Sequence, residues 1–164
     1  METVVMGEVV TRADLVQIRK KLKREGRKVV FTNGCFDIVH RGHVEYLTKA
    51  KALGDVLLIG MNTDASVKRL KGTTRPIVCQ DDRAFVLSAF SAVDYVCLFD
   101  EETPYDLIKA VKPDVLVKGS DWAIDSIVGK DIVEEAGGMV QTIDFVPHRS
   151  TTDIIKKIAG GKTN

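Results

Sequence analysis

The stretch VVFTNGCFDIVHRGHVEYLTKAKALGD, Val29 to Asp55, decides how this chain is read. It opens with β-branched and aromatic residues and stops at Asn33-Gly34, as a short buried strand does. From Gly42 onward Val44, Leu47 and Ala50 recur at helical spacing, and Gly54 ends the run. Between strand and helix lie His40 and His43, two of the three histidines in the chain. A helix N-terminus offers free backbone N–H groups and the positive end of the macrodipole. Gly42 permits a tight turn there and lets a ligand approach the backbone. A histidine before the turn and another within it aim ring N–H groups at one volume. The spacing therefore predicts a compact anion pocket between strand and helix, suited to a polyphosphate. Two other readings of the pair stay open on the residues alone: ordinary loop histidines, or a zinc site with Cys35, which lacks a fourth ligand.

Outward from this stretch, strands and helices alternate. Upstream, Thr11 and Asp14 resemble a capping box ahead of Leu15, Ile18 and Leu22, predicting a helix over about 11–26. Downstream, DVLLIGMN reads as a second buried strand, and Thr63 or Asp64 caps a short helix through Val67. RLKGTTRP is a loop by its glycine, threonines and proline. DDRAFVLSAFSAV is a helix with Phe85, Val86, Leu87 and Phe90 mostly inward. YVCLF is a third strand, and Thr103-Pro104 opens a helix to Val111. DVLVKG, KDIVEEAGG and MVQTIDF give a strand, a helix and a fifth strand, and STTDIIKKIA closes the chain as a helix capped by Ser150 or Thr151. Strands that are apolar throughout and separated by helices imply a parallel sheet covered on both faces. The expectation is one domain over residues 1–164, a doubly wound five-stranded parallel α/β sheet with its core over about 27–158. Ligands in such folds sit beyond the carboxyl ends of the strands, where strand order reverses. Here those ends carry the polar, irregular segments TNGCFDIVHRGH, GMNTD, KGSDW and VPHRSTT.

Composition removes several function classes. Twenty-four Lys and Arg against 23 Asp and Glu leave a net charge of +1, so no global field recruits nucleic acid or an anionic membrane. Any anion site must be local. Cys35, Cys79 and Cys97 are odd in number and far apart, which fits reduced thiols better than a disulfide framework. The N-terminus lacks the basic start and apolar run of a signal peptide, and no run approaches the roughly 20 apolar residues of a membrane span. A cytoplasmic location is expected.

GCFDIVHRGHVEYL resembles the H-x-G-H signature of the nucleotidyltransferase superfamily, in the branch containing cytidylyltransferases. It follows a buried strand and opens a helix, and RSTTDIIKKI looks like the second signature of that superfamily at the last helix. FTNGCFDIVHRGHVEYL, NTDASVKRLKGTTRPI, PDVLVKGSDW and STTDIIKKI together resemble the adenylyltransferases of ADP-heptose synthesis, over roughly residues 11 to 158. The resemblance implies a Rossmann-like nucleotidyltransferase fold. It implies transfer of AMP from ATP to D-glycero-β-D-manno-heptose 1-phosphate, with Mg²⁺ carried mainly on the ATP phosphates. A separate heptose kinase and a phosphatase are implied in the pathway, and dimerisation is common among relatives. Glycerol-3-phosphate cytidylyltransferase shares the phosphate motifs and is the alternative, with a non-enzymatic nucleotide sensor a more distant one.

The resemblance also distributes roles. His40 and His43 contact the triphosphate, His43 chiefly at the α- and β-phosphates in the transition state. Asn33, Gly34 and Phe36 line the phosphate and ribose side through their backbone, next to Gly42. Lys71, beside Gly72, is a mobile cation for the phosphates. Lys118 ends a buried strand, where an unpaired cation would be costly, so it faces the ligand, and Gly119 lets the next turn come close. Asp121 holds ribose or the loop. Ser150, Thr151 and Thr152 form a second anion site at a helix N-terminus, with Arg149 and His148 nearby. Asp37 supports the loop or reaches a metal, Trp122 packs or borders the base, Arg83 reads as a surface arginine, and Cys35 as a packing residue. No protein side chain is assigned to a metal.

Overall fold

The computed structural model describes residues 5–160, so the first four and last four positions of the domain expected over 1–164 lie outside the described residues. The chain runs β1 (Glu8–Val9), α1 (Arg12–Arg24), β2 (Val29–Gly34), α2 (Arg41–Lys51), β3 (Val56–Asn62), α3 (Asp64–Lys71) and α4 (Gln80–Ser88). It continues through β4 (Tyr95–Phe99), α5 (Tyr105–Val111), β5 (Val115–Gly119), a short 3₁₀ turn (Ile124–Ser126), α6 (Lys130–Glu135), β6 (Met139–Ile143) and α7 (Thr151–Ile158). Among the described residues no helix is long and apolar enough to cross a membrane.

Among the described residues the sheet has six strands in the order β1-β4-β3-β2-β5-β6, every pair parallel. The five strands expected from the sequence are all present, and β1 is the addition. It is two exposed residues long, held to β4 by the Glu8 N–H on the Asp94 carbonyl and the Val10 N–H on that of Val96. No apolar run announces such an edge strand, because its contribution is backbone pairing alone.

All seven residues of β3 are buried, because helices cover both faces of the sheet. Phe31, Leu58 and Leu116 face α1, α5 and α6, where Leu15, Leu107 and Val133 meet them. Val30, Leu57 and Ile59 face α2 and α4, against Leu47, Ala50 and Leu87. Thr11 caps α1, its Oγ1 accepting from the Asp14 N–H at 3.1 Å.

Three local expectations need correction. Helix α3 runs on to Lys71 and stops at Gly72, whose φ of 95° only glycine adopts easily, so Arg69, Leu70 and Lys71 of the expected loop are helical. Helix α4 ends at Ser88, and Phe85 and Val86 lie outward, 65% and 38% exposed. The inward phase belongs to Arg83, Ala84, Leu87 and Ser88, and once Arg83 is inside, the two apolar residues beside Leu87 fall on the outer face. Helix α5 begins one residue late, with Pro104 at the cap position.

The topology fixes where a ligand can sit. From β2 the chain steps to β3 and β4 on one side, then crosses back to place β5 on the other side of β2. Strand order therefore reverses between β2 and β5, and a crevice opens above their carboxyl ends. Asn33-Gly34 and Lys118-Gly119 are the residues that end those two strands.

Candidate active site

A cavity of about 370 Å³ fills that crevice. Of the positions singled out in the sequence, Asn33, Gly34, Cys35, Phe36, Asp37, His43, Lys71, Lys118, Gly119, Trp122 and Thr151 line it. His40, Gly42, Asp121, Ser150 and Thr152 do not line it, and stand around or behind it. Tyr46, Asn62, Leu70, Arg75 and Phe145 line it without having been singled out.

The two histidines cap α2 reciprocally. The Gly42 N–H donates to His40 Nδ1 at 3.1 Å, and the His40 N–H donates to His43 Nδ1 at 3.3 Å. Two of the orphan donors of the first helical turn are thereby satisfied. The same bonds set the tautomers: with Nδ1 accepting, each neutral ring carries its proton on Nε2. The rings lie 4.0 Å apart, centroid to centroid, and Phe36 sits 5.4 Å from His43. Burial, with His40 and Lys71 adding repulsion, pushes the His43 pKa down to about 4. His40 is lowered too, by burial and by Arg149. His43 is therefore a neutral N–H donor at physiological pH, held in one orientation.

Gly42 has a different task from the one expected. A Cβ there would lie 3.0 Å from His40 Cε1 and Nδ1 and 3.2 Å from Arg149 Cβ. Its missing side chain makes room for the His40 ring, so the close approach is by protein. Gly119 is alike: a Cβ would fall 2.0 Å from Phe145 Cε2 and 2.6 Å from Asp121 Oδ1. Phe36 takes a left-handed φ of 48°, and its ring leaves 3.0 Å to a Cβ built on Gly34. A bulky residue in that region is uncommon and costs energy, as often happens at ligand sites.

Lys118 is the cation at the end of β5. Burial pushes its pKa down to about 8, against the opposing pull of Asp121 and Cys35, and its Nζ lies 5.6 Å from the centre of the Trp122 ring. Lys71 ends α3 at the cavity wall. Tyr46, from the buried side of α2, shares a 2.9 Å hydrogen bond with Thr32 Oγ1 and stacks on Phe145 at 5.4 Å. Its phenol is pushed up to about 12 by burial.

The segment after α3 is clamped to the histidine turn by two buried charges. Asp37 accepts from the Ile77 and Val78 N–H groups, each at 2.9 Å, and from Arg75 Nε at 2.7 Å. Burial alone would raise its pKa, but these bonds outweigh burial and hold it below the usual carboxylate value. Asp37 thus supports the loop. Arg83, expected at the surface, is 1% exposed and donates to the carbonyls of Cys35 at 2.6 Å, Asn62 at 2.9 Å and Val78 at 3.0 Å, and to Asp64 at 2.7 Å. A single guanidinium ties β2, β3, α3 and α4 together. In sequence it could not be told from a solvated helix arginine.

At α7 the hydroxyls of Ser150 and Thr151 are already engaged. Ser150 Oγ accepts from the Thr152 N–H at 3.1 Å and the Asp153 N–H at 3.4 Å, and Thr151 Oγ1 donates to the Ile38 carbonyl at 2.8 Å. Thr151 thereby links the last helix to the histidine turn.

Among the described residues no group of three or more His, Cys, Asp or Glu side chains converges as a metal site. Both oxygens of Asp37 are taken by N–H donors, and the other polar groups at the wall are mainly N–H donors and ammonium ions. The chain's own side chains do not fit a directly held Mg²⁺, which would have to arrive on substrate phosphates. A donor-rich, carboxylate-poor cavity of this kind can bind and orient phosphates and stabilise charge that develops on them.

Comparison with known proteins agrees with this chemistry. A family model described as cytidylyltransferase-like matches residues 31–157. A protein named Bifunctional protein HldE from Wolinella succinogenes is 57% identical over 152 residues, which are 93% of this chain and 31% of that protein. One of the same name from Nitratiruptor sp. is 58% identical over 141 residues, 86% of this chain and 30% of the other. The chain thus spans about a third of the length of these relatives. The crystal structure of a lipopolysaccharide core biosynthesis protein from Thermoplasma volcanium matches with a TM-score of 0.61 at 30% identity, over 76% of this chain and 100% of that one.

Proposed function

The chain belongs to the cytidylyltransferase-like family and is a nucleotidyltransferase, and from that premise we propose that it transfers AMP from ATP to D-glycero-β-D-manno-heptose 1-phosphate. The products are ADP-heptose and pyrophosphate. The observation that carries the reading is the cavity at the β2–β5 crevice, where His43, Lys71 and Lys118 meet on one volume with no competing free carboxylate at the wall of β2. The similarity to the bifunctional HldE proteins and to a lipopolysaccharide core biosynthesis protein supports a heptose acceptor.

A phosphate oxygen of the sugar phosphate attacks the α-phosphorus of ATP. The bond from that phosphorus to the bridging oxygen breaks, and pyrophosphate leaves with the electron pair. No protein nucleophile is needed, so the chain's task is alignment and charge stabilisation. His43 donates from Nε2 to the α- and β-phosphate region, with no proton transfer required of a ring whose pKa is about 4. His40 holds His43 through its backbone N–H and lies beside the triphosphate. Lys118 and Lys71 neutralise phosphate charge from opposite walls. The backbone of Gly34 and Phe36 lines the nucleotide side, Gly119 and Asp121 shape the β5 end, and Ser150, Thr151 and Thr152 bring a second helix N-terminus towards the distal phosphates. A kinase must supply the sugar 1-phosphate.

Pyrophosphate release from the purified chain with Mg²⁺, each nucleoside triphosphate, and heptose 1-phosphate or glycerol 3-phosphate tests the assignment. ATP with heptose 1-phosphate should be the best pair. A tenfold preference for CTP, about 1.4 kcal/mol in transition-state binding, would overturn the ADP-heptose reading in favour of a cytidylyltransferase.

A further inference from the structure

Asn33 is the last residue but one of β2, at the crevice where strand order reverses, and it lines the cavity. Its Oδ1 is buried and receives no hydrogen bond from any side chain or backbone group of the described residues. Only one other buried side-chain polar atom among the described residues, Nη1 of Arg19 far from the site, is in that position. A buried acceptor without a donor costs stability, and native structures keep few of them, often where a ligand completes the bond. The neighbouring polar side chains are already committed: Thr32 to Tyr46, and Asn62 to Ser66 and Cys35.

The chemistry of the missing partner is restricted. Oδ1 can only accept, and phosphate oxygens at neutral pH are also acceptors. A phosphate therefore cannot satisfy it. Both substrates of the proposed reaction carry another group that can, the hydroxyl. Resting on the nucleotidyltransferase reading, we infer that the Asn33 side chain accepts a hydrogen bond from a substrate hydroxyl, on the ribose of the nucleotide or on the sugar of the acceptor. The last torsion of asparagine is broad, which lets Oδ1 swing towards a donor that enters the cavity. Asn33 thus divides the cavity: phosphates lie towards His43 and the lysines, and hydroxyls lie against β2. A pocket built this way disfavours an analogue lacking that one hydroxyl, because the oxygen is then left unpaired.

The test is a cycle between Asn33→Leu, which keeps the approximate volume and removes the amide, and substrates lacking one hydroxyl at a time. Wild type and variant are assayed for pyrophosphate release with ATP, 2′-deoxy-ATP, 3′-deoxy-ATP and singly deoxygenated sugar phosphates. The variant should lose about tenfold to a hundredfold in kcat/KM with the fully hydroxylated pair. With one particular analogue the two proteins should converge to within about threefold, and that analogue identifies whether ribose or sugar supplies the hydroxyl. A variant penalty that is the same for every analogue would overturn the inference. So would a drop of several degrees in the unfolding midpoint of Asn33→Leu, because removing an unsatisfied oxygen should leave the fold at least as stable. The same cycle read as dissociation constants by calorimetry keeps the test independent of turnover. Failure of wild type to turn over any pair then counts against the proposed reaction alone.

Discussion

Two helix N-termini flank the cavity, and the sequence makes them look like a matched pair: histidines and a glycine at α2, a serine and two threonines at α7. They are built differently. Helix α2 buries Gly42, Tyr46, Leu47 and Ala50 against the sheet, and its first turn is closed by two rings bonded to backbone N–H groups. Helix α7 buries none of its residues, and its cap is satisfied by its own Ser150. The Thr151 hydroxyl on the Ile38 carbonyl is its hydrogen bond to the α2 side. One terminus is scaffold, with donors fixed before substrate arrives. The other is an arm resting on that scaffold. Preorganised donors contribute most to lowering a barrier, since they need no reorganisation when charge develops. On the proposed reaction the contrast predicts a ranking of the two ends, with α2 acting on the chemical step and α7 on how well the nucleotide is held.

The largest expected effect lies in α2. His43→Ala should reduce kcat by about 10²–10³, roughly 2.7–4 kcal/mol, while ATP affinity changes much less. Steady-state kinetics, ATP titration and the unfolding midpoint on the same protein make the check. If the ring only packed the turn, the midpoint would fall and turnover per folded molecule would stay near wild type, and the ranking of the two termini would break.

Lys118 lines the cavity that both ends flank and gives the next effect in size. Lys118→Met should cost about tenfold to a hundredfold in kcat/KM, the loss of charge-assisted hydrogen bonds to phosphate. Its pKa of about 8 sets the pH dependence. The ammonium form binds phosphate, so kcat/KM should be flat below pH ~8 and fall above it. Bound phosphates stabilise the charge, so the limb in kcat should appear at higher pH. Lys118→Met should lose that limb altogether. For stability the sign is opposite: the unfolded chain binds more protons between about 8 and the ordinary lysine value of 10.5, so this group makes the fold more stable as pH rises through that window. Titration of His43, near 4, should leave no acid limb between pH 5 and 7. An acid limb there that vanished in His43→Ala would contradict the neutral-donor role.

Gly42→Ala sharpens the α2 side at a smaller scale. Alanine is the better helix former, by about 1 kcal/mol, so helix propensity alone predicts a stabler protein. Here the new Cβ meets the His40 ring at 3.0 Å and Arg149 Cβ at 3.2 Å, and His40 has to give by a few tenths of an ångström. Because His43 is bonded to the His40 backbone, the displacement should pass to the donor ring. A fall in kcat of several-fold to about tenfold is expected, with the unfolding midpoint little changed, and a crystal structure of the variant would show whether the rings have moved.

What could be read in advance follows the physics of each signal. The strands β2 and β3 were legible because burial on both faces leaves a continuous apolar run. The histidine turn was legible because residue type and position coincide, two rings at the mouth of a helix after Asn33-Gly34. Arg83 was not, since a guanidinium that bonds three carbonyls and Asp64 has the same letter as one in water. Its burial depends on carbonyls from Cys35, Asn62 and Val78, which become neighbours only in the folded chain. The same holds for Phe145, which reaches Tyr46 and the space above Gly119 from almost a hundred residues beyond α2. Edge strand β1 was invisible for the opposite reason, having no side-chain signal to read. The tautomers of His40 and His43 required hydrogen-bond geometry that no spacing rule contains.

The smallest effect should come from α7. Thr151→Val keeps the shape of the side chain and deletes the hydroxyl that meets the Ile38 carbonyl. A neutral hydrogen bond at a part-buried position is worth about 0.5–1.5 kcal/mol, which as binding is roughly twofold to twelvefold. Since α7 buries no residue, little of that loss should reach the cooperative core, and the unfolding midpoint should move by no more than about 2 °C. The loss should appear instead as faster hydrogen exchange in α7 and a severalfold higher KM for ATP, with kcat nearly unchanged. Thr151→Ser, which retains the hydroxyl, should restore most of the ATP affinity. The comparison between the two termini turns on this last measurement. A large fall in the midpoint would make α7 part of the core, and a fall in kcat comparable to that of His43→Ala would make it a second source of transition-state charge stabilisation. A KM effect alone, rescued by serine, leaves α7 as the arm that closes on a nucleotide already gripped at α2.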